Sequence, residues 1–167
     1  HPRLGSILDE NRSKLPEECD YLCGCCALFR TKIFDSTGLF EEDLFLYGED
    51  LLHSLVAKKN GWSICTLPTE TIEHGVSAST GDDSSKHFSP LRAYYYARNP
   101  LLILSYLPWS SKKLVAILSQ VFIALPYSTI RMLFEGTMFC FPNYMRGLMD
   151  GILLRKGNRV KLPNMGD

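Results

Sequence analysis

The sequence predicts an α/β fold over residues 1–90 followed by an α-helical extension over residues 91–167, on three observations. The run Phe45-Leu46-Tyr47-Gly48-Glu49-Asp50 leads into Leu51, Leu52, Leu55 and Val56, which fall on one face at helical spacing. Tyr21 to Phe29 and Gly61 to Leu67 read as extended segments on either side of that helix. From Ser89-Pro90 onward, long apolar runs punctuated by Lys and Arg read as helices.

Residues 1–19 read as a polar loop or linker. Tyr21 to Phe29 is expected as a strand, and Cys23, Gly24, Cys25, Cys26 and Ala27 would leave one face open to close approach. Thr31 to Thr37 forms a short helix stopped at Gly38, where a tight turn begins. The next helix runs from Glu49 to Asn60, with Lys58 and Lys59 in its last turn and Gly61 as its cap. Glu49 and Asp50 thus lie at a helix N-terminus, where the dipole favours ionised carboxylates. Acids there also serve as ordinary caps. A strand from Gly61 ends at Pro68, and His74 follows in a second short extended segment. Gly75 to His87 is a Ser/Gly/Asp-rich loop. Ser89 then caps a helix with Pro90 in its first turn, Pro100 is expected to bend or interrupt it, and Ser110 or Ser111 opens the next.

The net charge is zero, with 18 Lys and Arg against 18 Asp and Glu, and the zero conceals a division. Residues 1–90 hold 8 basic against 15 acidic side chains; residues 91–167 hold 10 against 3. A basic half interleaved with apolar runs suits an anionic membrane surface better than nucleic acid, which asks for a polar groove. Leu114 to Leu125 is 12 residues long and Pro126 is expected to end it, short of the roughly 20 that span a bilayer. The expectation is an interfacial segment or one packed on the domain, with transmembrane insertion the lesser alternative. Tyr106, Trp109, Tyr127, Phe139, Phe141 and Tyr144 would form a headgroup-level belt or part of the core.

Cys19, Cys23, Cys25 and Cys26 crowd into eight positions, with Cys65 and Cys140 elsewhere. Adjacent cysteines on a strand point to opposite faces, which disfavours a tetrahedral zinc site. Reduced, strand-buried thiols and a reducing compartment are expected instead. His53 and His87 read as solvated.

The order of these pieces resembles the C-terminal part of a family 2 inverting glycosyltransferase of the GT-A fold, most like bacterial rhamnosyl- and related cell-surface glycan transferases. The resemblance rests on Gly24 in a small-residue strand, then Leu28 and Arg30, then the turn Gly38-Leu39-Phe40-Glu41-Glu42. Phe45 to Asp50, Gly61-Trp62-Ser63-Ile64 with Pro68, His74 with Ser79-Thr80, and Tyr95 with Arg98-Asn99 complete it, over about residues 20–99. Glu41 stands where the family usually has Asp.

The resemblance implies an acceptor-side half of a GT-A nucleotide-diphospho-sugar transferase fold in residues 1–90 and a basic, membrane-facing helical extension in residues 91–167. It makes Asp50 the catalytic base, with Glu49 positioning the base or the acceptor. Tyr47, Gly24 and Arg98 become substrate-binding residues, Arg98 through a phosphate, with packing or helix-surface pairing open as the other reading of Arg98. His74 becomes a ligand of a divalent metal, Mg²⁺ or Mn²⁺. The metal site would be completed by a nucleotide-binding half N-terminal to His1, since Asp82-Asp83 reads as a loop rather than the family's Asp-x-Asp. The implied partners are a nucleotide-sugar donor, a glycan or polyprenyl-linked acceptor, and the cytoplasmic side of the cytoplasmic membrane. A non-catalytic membrane-associated glycan-binding module and a small zinc-binding protein stay open as other readings.

Overall fold

The computed structural model describes residues 16–67 and 86–160. His74, Pro68, Ser79-Thr80, Asp82-Asp83 and residues 1–15 lie outside them. In chain order the elements are strand β1 (Glu17–Glu18), helix α1 (Ile33–Thr37), a 3₁₀ turn (Glu42–Leu44), α2 (Glu49–Lys59), β2 (Cys65–Thr66) and α3 (Pro90–Tyr106). Then come α4 (Ser111–Ser119), a π-helical turn (Gln120–Ala124), α5 (Leu125–Phe134), a second 3₁₀ turn (Met138–Cys140) and α6 (Phe141–Ile152). β1 and β2 pair antiparallel, Glu17 opposite Thr66 and Glu18 opposite Cys65.

The strand expected from Tyr21 to Phe29 does not form; that segment turns at Gly24 and Cys25. Its amides go to α2 instead of a neighbouring strand. The Leu22 N–H donates to Ser54 Oγ at 3.1 Å and the Gly24 N–H to Asp50 Oδ2 at 2.8 Å. Two helix side chains thus meet a donor need that a sheet would otherwise satisfy. The thiols are correspondingly exposed at Cys23, Cys25, Cys26 and Cys65, half-buried at Cys19 and buried only at Cys140. Expected burial on a strand fails because the strand is absent.

Helix α3 is the spine. Ser89 caps it by accepting from the Arg92 N–H, Pro90 occupies its first turn, and Pro100 lies inside it without interrupting it. Its buried residues flank the proline on both sides, Ala97 to Asn99 and Leu101 to Ile103. Packing on both sides outweighs the loss of one helical hydrogen bond. Helix α6 lies against α3 through two glycines. A Cβ on Gly147 would stand 2.1 Å from the Tyr94 carbonyl oxygen, and one on Gly151 2.9 Å from that of Arg98. Only bare backbone allows this approach. Phe88, Ala93, Ala97, Leu101, Met132, Cys140, Tyr144 and Leu148 fill the core between these helices.

Pro126 does not end the preceding helix either. The π turn at Gln120–Ala124 precedes it, and α4, that turn and α5 run as one 24-residue helix from Ser111 to Phe134. Shifting to i→i+5 bonding ahead of the proline is a known way to absorb its missing N–H. The 12-residue length read from the sequence is therefore too short. Only 6% of the most apolar window of this helix is buried. Ile117, Leu125 and Met132 touch the core, whereas Phe122, Ile123, Leu133 and Phe134 are exposed. The aromatic set divides as well: Tyr144 is buried and Phe141 packs on the core, while Trp109, Tyr127 and Phe139 are exposed.

Candidate functional site

Glu49 and Asp50 open α2 behind an unusual stretch of backbone. Phe45, Tyr47 and Gly48 have φ of 62°, 66° and 93°. Such angles strain non-glycine residues and persist only where surrounding contacts impose them. Those contacts come from α3. Asn99 Nδ2 donates to the carbonyls of Leu46 and Tyr47 at 2.6 Å each and of Leu44 at 3.2 Å. Arg98, with no exposed surface, donates through Nη2 to Leu44 and Asp43, through Nη1 to Gly157, and through Nε to Asn99 Oδ1. Its guanidinium also lies over the Tyr95 ring, 4.6 Å from the centroid. A buried cation spent on carbonyls and a ring face is structural. Of the two readings of Arg98, phosphate binding and packing, these contacts favour packing: it anchors the loop and does not line the cleft.

The rings of Phe45 and Tyr47 face the same helix, at 5.6 Å from Tyr95 and 5.0 Å from Tyr96. Tyr47 is thus directed to α3 rather than to Asp50. What borders Asp50 is an open cleft of about 310 Å³ lined by Leu22, Gly24, Ala27, Phe29, Phe40, Glu49 and Asp50. The two phenylalanines were missed as cleft residues. They belong to the Leu-x-Arg step and the Gly38 turn, whose rings the sequence could not aim.

Asp50 accepts from Gly24 N–H through Oδ2 and from Leu51 N–H at 2.7 Å through Oδ1. Each oxygen retains a lone pair for a ligand. Gly24 is packed so closely that a Cβ there would lie 3.3 Å from Asp50 Cβ and Oδ2. Glu49 differs: its Oε2 is buried with no hydrogen-bond partner. Burial and the neighbouring Asp50 charge hold the Glu49 carboxyl above its ordinary value, against an opposing hydrogen bond from its own backbone. Its carboxyl therefore holds a proton more readily than an ordinary glutamate does.

One turn on, His53 is 5% exposed. Its ring stacks on Phe40 at 4.5 Å and meets Phe29 and Phe34 at 5.5 and 5.6 Å, with Nε2 unpartnered. Burial pushes it below its ordinary value. The solvated reading of His53 is wrong: it backs the aromatic wall of the cleft. His87 is half-buried, with its ring against Phe88 and Tyr96 and its pKa lowered chiefly by burial.

Among the described residues, no group of three or more His, Cys, Asp or Glu is placed to hold a metal. The described cysteines do not form a zinc cluster, and His74 lies outside the described residues.

A cleft with a pinned carboxylate beside a second, buried one is a place for proton transfer next to a ligand hydroxyl. Part of the chain is similar to a rhamnosyltransferase. It is 33% identical over 69 residues to N-acetylglucosaminyl-diphospho-decaprenol L-rhamnosyltransferase in two strains of Mycobacterium tuberculosis, CDC 1551 / Oshkosh and ATCC 25618 / H37Rv. The likeness covers 41% of this chain and 22% of each of those proteins. No family model matches the chain, and no solved structure matches it.

Proposed function

We propose that this chain is the acceptor-side part of a glycosyltransferase of the family 2, GT-A type. It would transfer a sugar with inversion from a nucleotide diphosphate sugar to a glycan or lipid-linked acceptor. The observation that carries the reading is the Asp50 carboxylate, locked by the Gly24 and Leu51 amides at the edge of an open cleft. The partial likeness to a rhamnosyltransferase supports glycosyl transfer; the polyprenyl-linked acceptor and a role in cell-surface polysaccharide synthesis are part of the proposal.

In this mechanism Asp50 takes the proton of the acceptor hydroxyl as its oxygen attacks the anomeric carbon. The new glycosidic bond forms on the face opposite the departing diphosphate, whose bond to the sugar breaks. Glu49, whose carboxyl is raised by burial, lines the cleft beside Asp50 and positions the base or the acceptor. Phe29 and Phe40 offer an apolar wall to the C–H face of the acceptor ring. The described residues do not by themselves fit a metal site. A divalent ion belongs in the proposal with His74 and the donor-binding half, and no step here passes through it. The exposed helix Ser111–Phe134 would rest on the cytoplasmic face of the membrane, close to a lipid-borne acceptor.

The test is a transfer assay with the full-length protein, a panel of nucleotide diphosphate sugars and polyprenyl-diphosphate N-acetylglucosamine. Product with an inverted anomeric centre supports the reading. Acceptor binding without turnover across the panel would replace it with the non-catalytic glycan-binding module.

A further inference from the structure

Cys23, Gly24 and Cys25 make a thiol pair separated by one glycine, and that glycine is the residue whose amide holds Asp50. Both thiols are exposed, as is Cys26. The segment is a turn outside any strand or helix. A turn brings residues two apart closer than the roughly 7 Å of an extended chain, into the Cα range that a disulfide accepts. The Cys25 thiol is raised above its ordinary value chiefly by its interaction with Cys23, followed by burial.

We propose that Cys23 and Cys25 are a redox modification site: a low-molecular-weight disulfide converts them to a Cys23–Cys25 bridge, and the bridge withdraws the Gly24 N–H from Asp50. The chemistry is ordinary thiol–disulfide exchange. One cysteine thiolate attacks a sulfur of the small disulfide, whose S–S bond breaks and releases one thiolate. The second cysteine, after losing its proton, attacks the resulting mixed disulfide and expels the other half. Two protein thiols are oxidised, one small disulfide is reduced to two thiols, and the two protons leave with those thiols.

Closure over a single residue demands a Cβ–Cβ separation of about 3.8 Å and a dihedral near ±90° about the sulfurs. Those demands set the torsions of Gly24 from both sides. The Gly24 N–H that those torsions aim is held by Asp50 Oδ2 at 2.8 Å, so resetting them swings the amide out of that contact. The bridge and the Gly24–Asp50 hydrogen bond are therefore alternatives. A bridge that must break a native contact is strained and easily reduced, the property of a reversible site rather than a structural staple.

The test incubates this chain in buffers of glutathione disulfide and glutathione, followed by peptide mass mapping and amide NMR. The expected result is a Cys23–Cys25 disulfide, loss of the native Gly24 and Leu51 amide resonances, and recovery of both with dithiothreitol. Cys26→Ser and Cys65→Ser should behave like the wild type. Cys23→Ser and Cys25→Ser should form at most a mixed disulfide. A bridge mapped instead to Cys26, Cys65 or Cys19, or a Cys23–Cys25 bridge that leaves the Gly24 amide unmoved, overturns the proposal. None of these readouts requires turnover, so the outcome stands whether or not the transferase reading does.

Discussion

Asn99 Nδ2 lies 2.6 Å from the carbonyl oxygen of Tyr47, and through that contact helix α3 sets the backbone that delivers Asp50. Two amide protons serve three carbonyls, those of Leu44, Leu46 and Tyr47. They hold a loop in which Phe45 and Tyr47 take positive φ. Removing this one side chain therefore releases strain and leaves carbonyls unsatisfied together. Asn99→Ala should lower stability by about 1–3 kcal/mol and speed hydrogen exchange of the Gly48 to Leu51 amides. Urea unfolding and exchange NMR measure both; unchanged exchange would mean that the loop holds its shape without α3.

Asp50 is the second test. Asp50→Asn is nearly isosteric, and its side-chain oxygen can still accept from Gly24. The change removes the proposed base and keeps the Gly24 contact while losing the Leu51 one, so turnover in the full-length protein should fall about 10²–10⁴-fold with no more than about 1 kcal/mol of stability lost. Near-normal turnover would take Asp50 out of the base role.

The sequence revealed the helix around these residues better than it revealed their surroundings. Helices α1 and α2, the Ser89 cap with Pro90 and the Ser110 cap were legible because caps, glycine stops and apolar periodicity are local signals. The strand at Tyr21 to Phe29 failed because its small residues suit close approach of any kind, and α2 rather than a sheet makes the approach. Pro100 and Pro126 were misread for a shared reason: local propensity cannot weigh tertiary packing or a π turn against one lost N–H. In the site, paired acids at a helix start could be read. The inward turn of Arg98 and the aromatic wall of Phe29, Phe40 and His53 depend on contacts between residues distant in sequence, and no spacing encodes them.

Glu49 and His53 make opposite contributions to pH dependence. The folded-state pKa of Glu49 is raised, so its contribution is full at acid pH and is lost as pH rises through the folded value. That of His53 is lowered, so its contribution is full above about 6.5, the ordinary histidine value, and is lost as pH falls through the folded value. Glu49→Gln should therefore gain stability relative to wild type on going from acid to neutral pH. His53→Phe should gain relative to wild type below about pH 6.5. Melting curves across pH 4–8 check both signs, and parallel profiles for variant and wild type would place these side chains in water.

Gly147 tests the α3–α6 contact that carries the anchors. Its added methyl would stand 2.1 Å from the Tyr94 carbonyl oxygen, which is backbone and cannot swing aside. The helices must separate, so Gly147→Ala should cost about 3 kcal/mol or more, beyond what ordinary overpacking costs. Ser119→Ala, on a half-buried position of α4, should change stability by less than about 0.5 kcal/mol. Chemical denaturation of the pair decides it, and a stable Gly147→Ala chain would mean that the two helices can slide.

The helix Ser111–Phe134 is about 36 Å long at 1.5 Å per residue, against a hydrocarbon core of about 30 Å. Length alone would permit it to cross a bilayer. Its attachments argue for lying flat. Ile117, Leu125 and Met132 are packed on the core, Ser128 Oγ donates to the Tyr144 hydroxyl at 3.3 Å, and Arg131 pairs with Glu135 at 2.7 Å. Crossing would detach that stripe and carry the ion pair toward the membrane, whereas shallow insertion of Phe122 and Ile123 sacrifices neither. Lys112 and Lys113 at its start add attraction to anionic lipid of about 1 kcal/mol each, together roughly thirtyfold in affinity. Arg155 and Lys156 contribute less because they pair with Asp150 and Asp43. Co-sedimentation with vesicles should rise with anionic lipid and weaken as salt screens the lysines. Lys112→Gln with Lys113→Gln should remove most of that salt dependence, and Phe122→Ser with Ile123→Ser should release the chain even at low salt. Retention through high salt and carbonate would show that the helix crosses instead, and no binding to any vesicle would leave its apolar face to a protein partner.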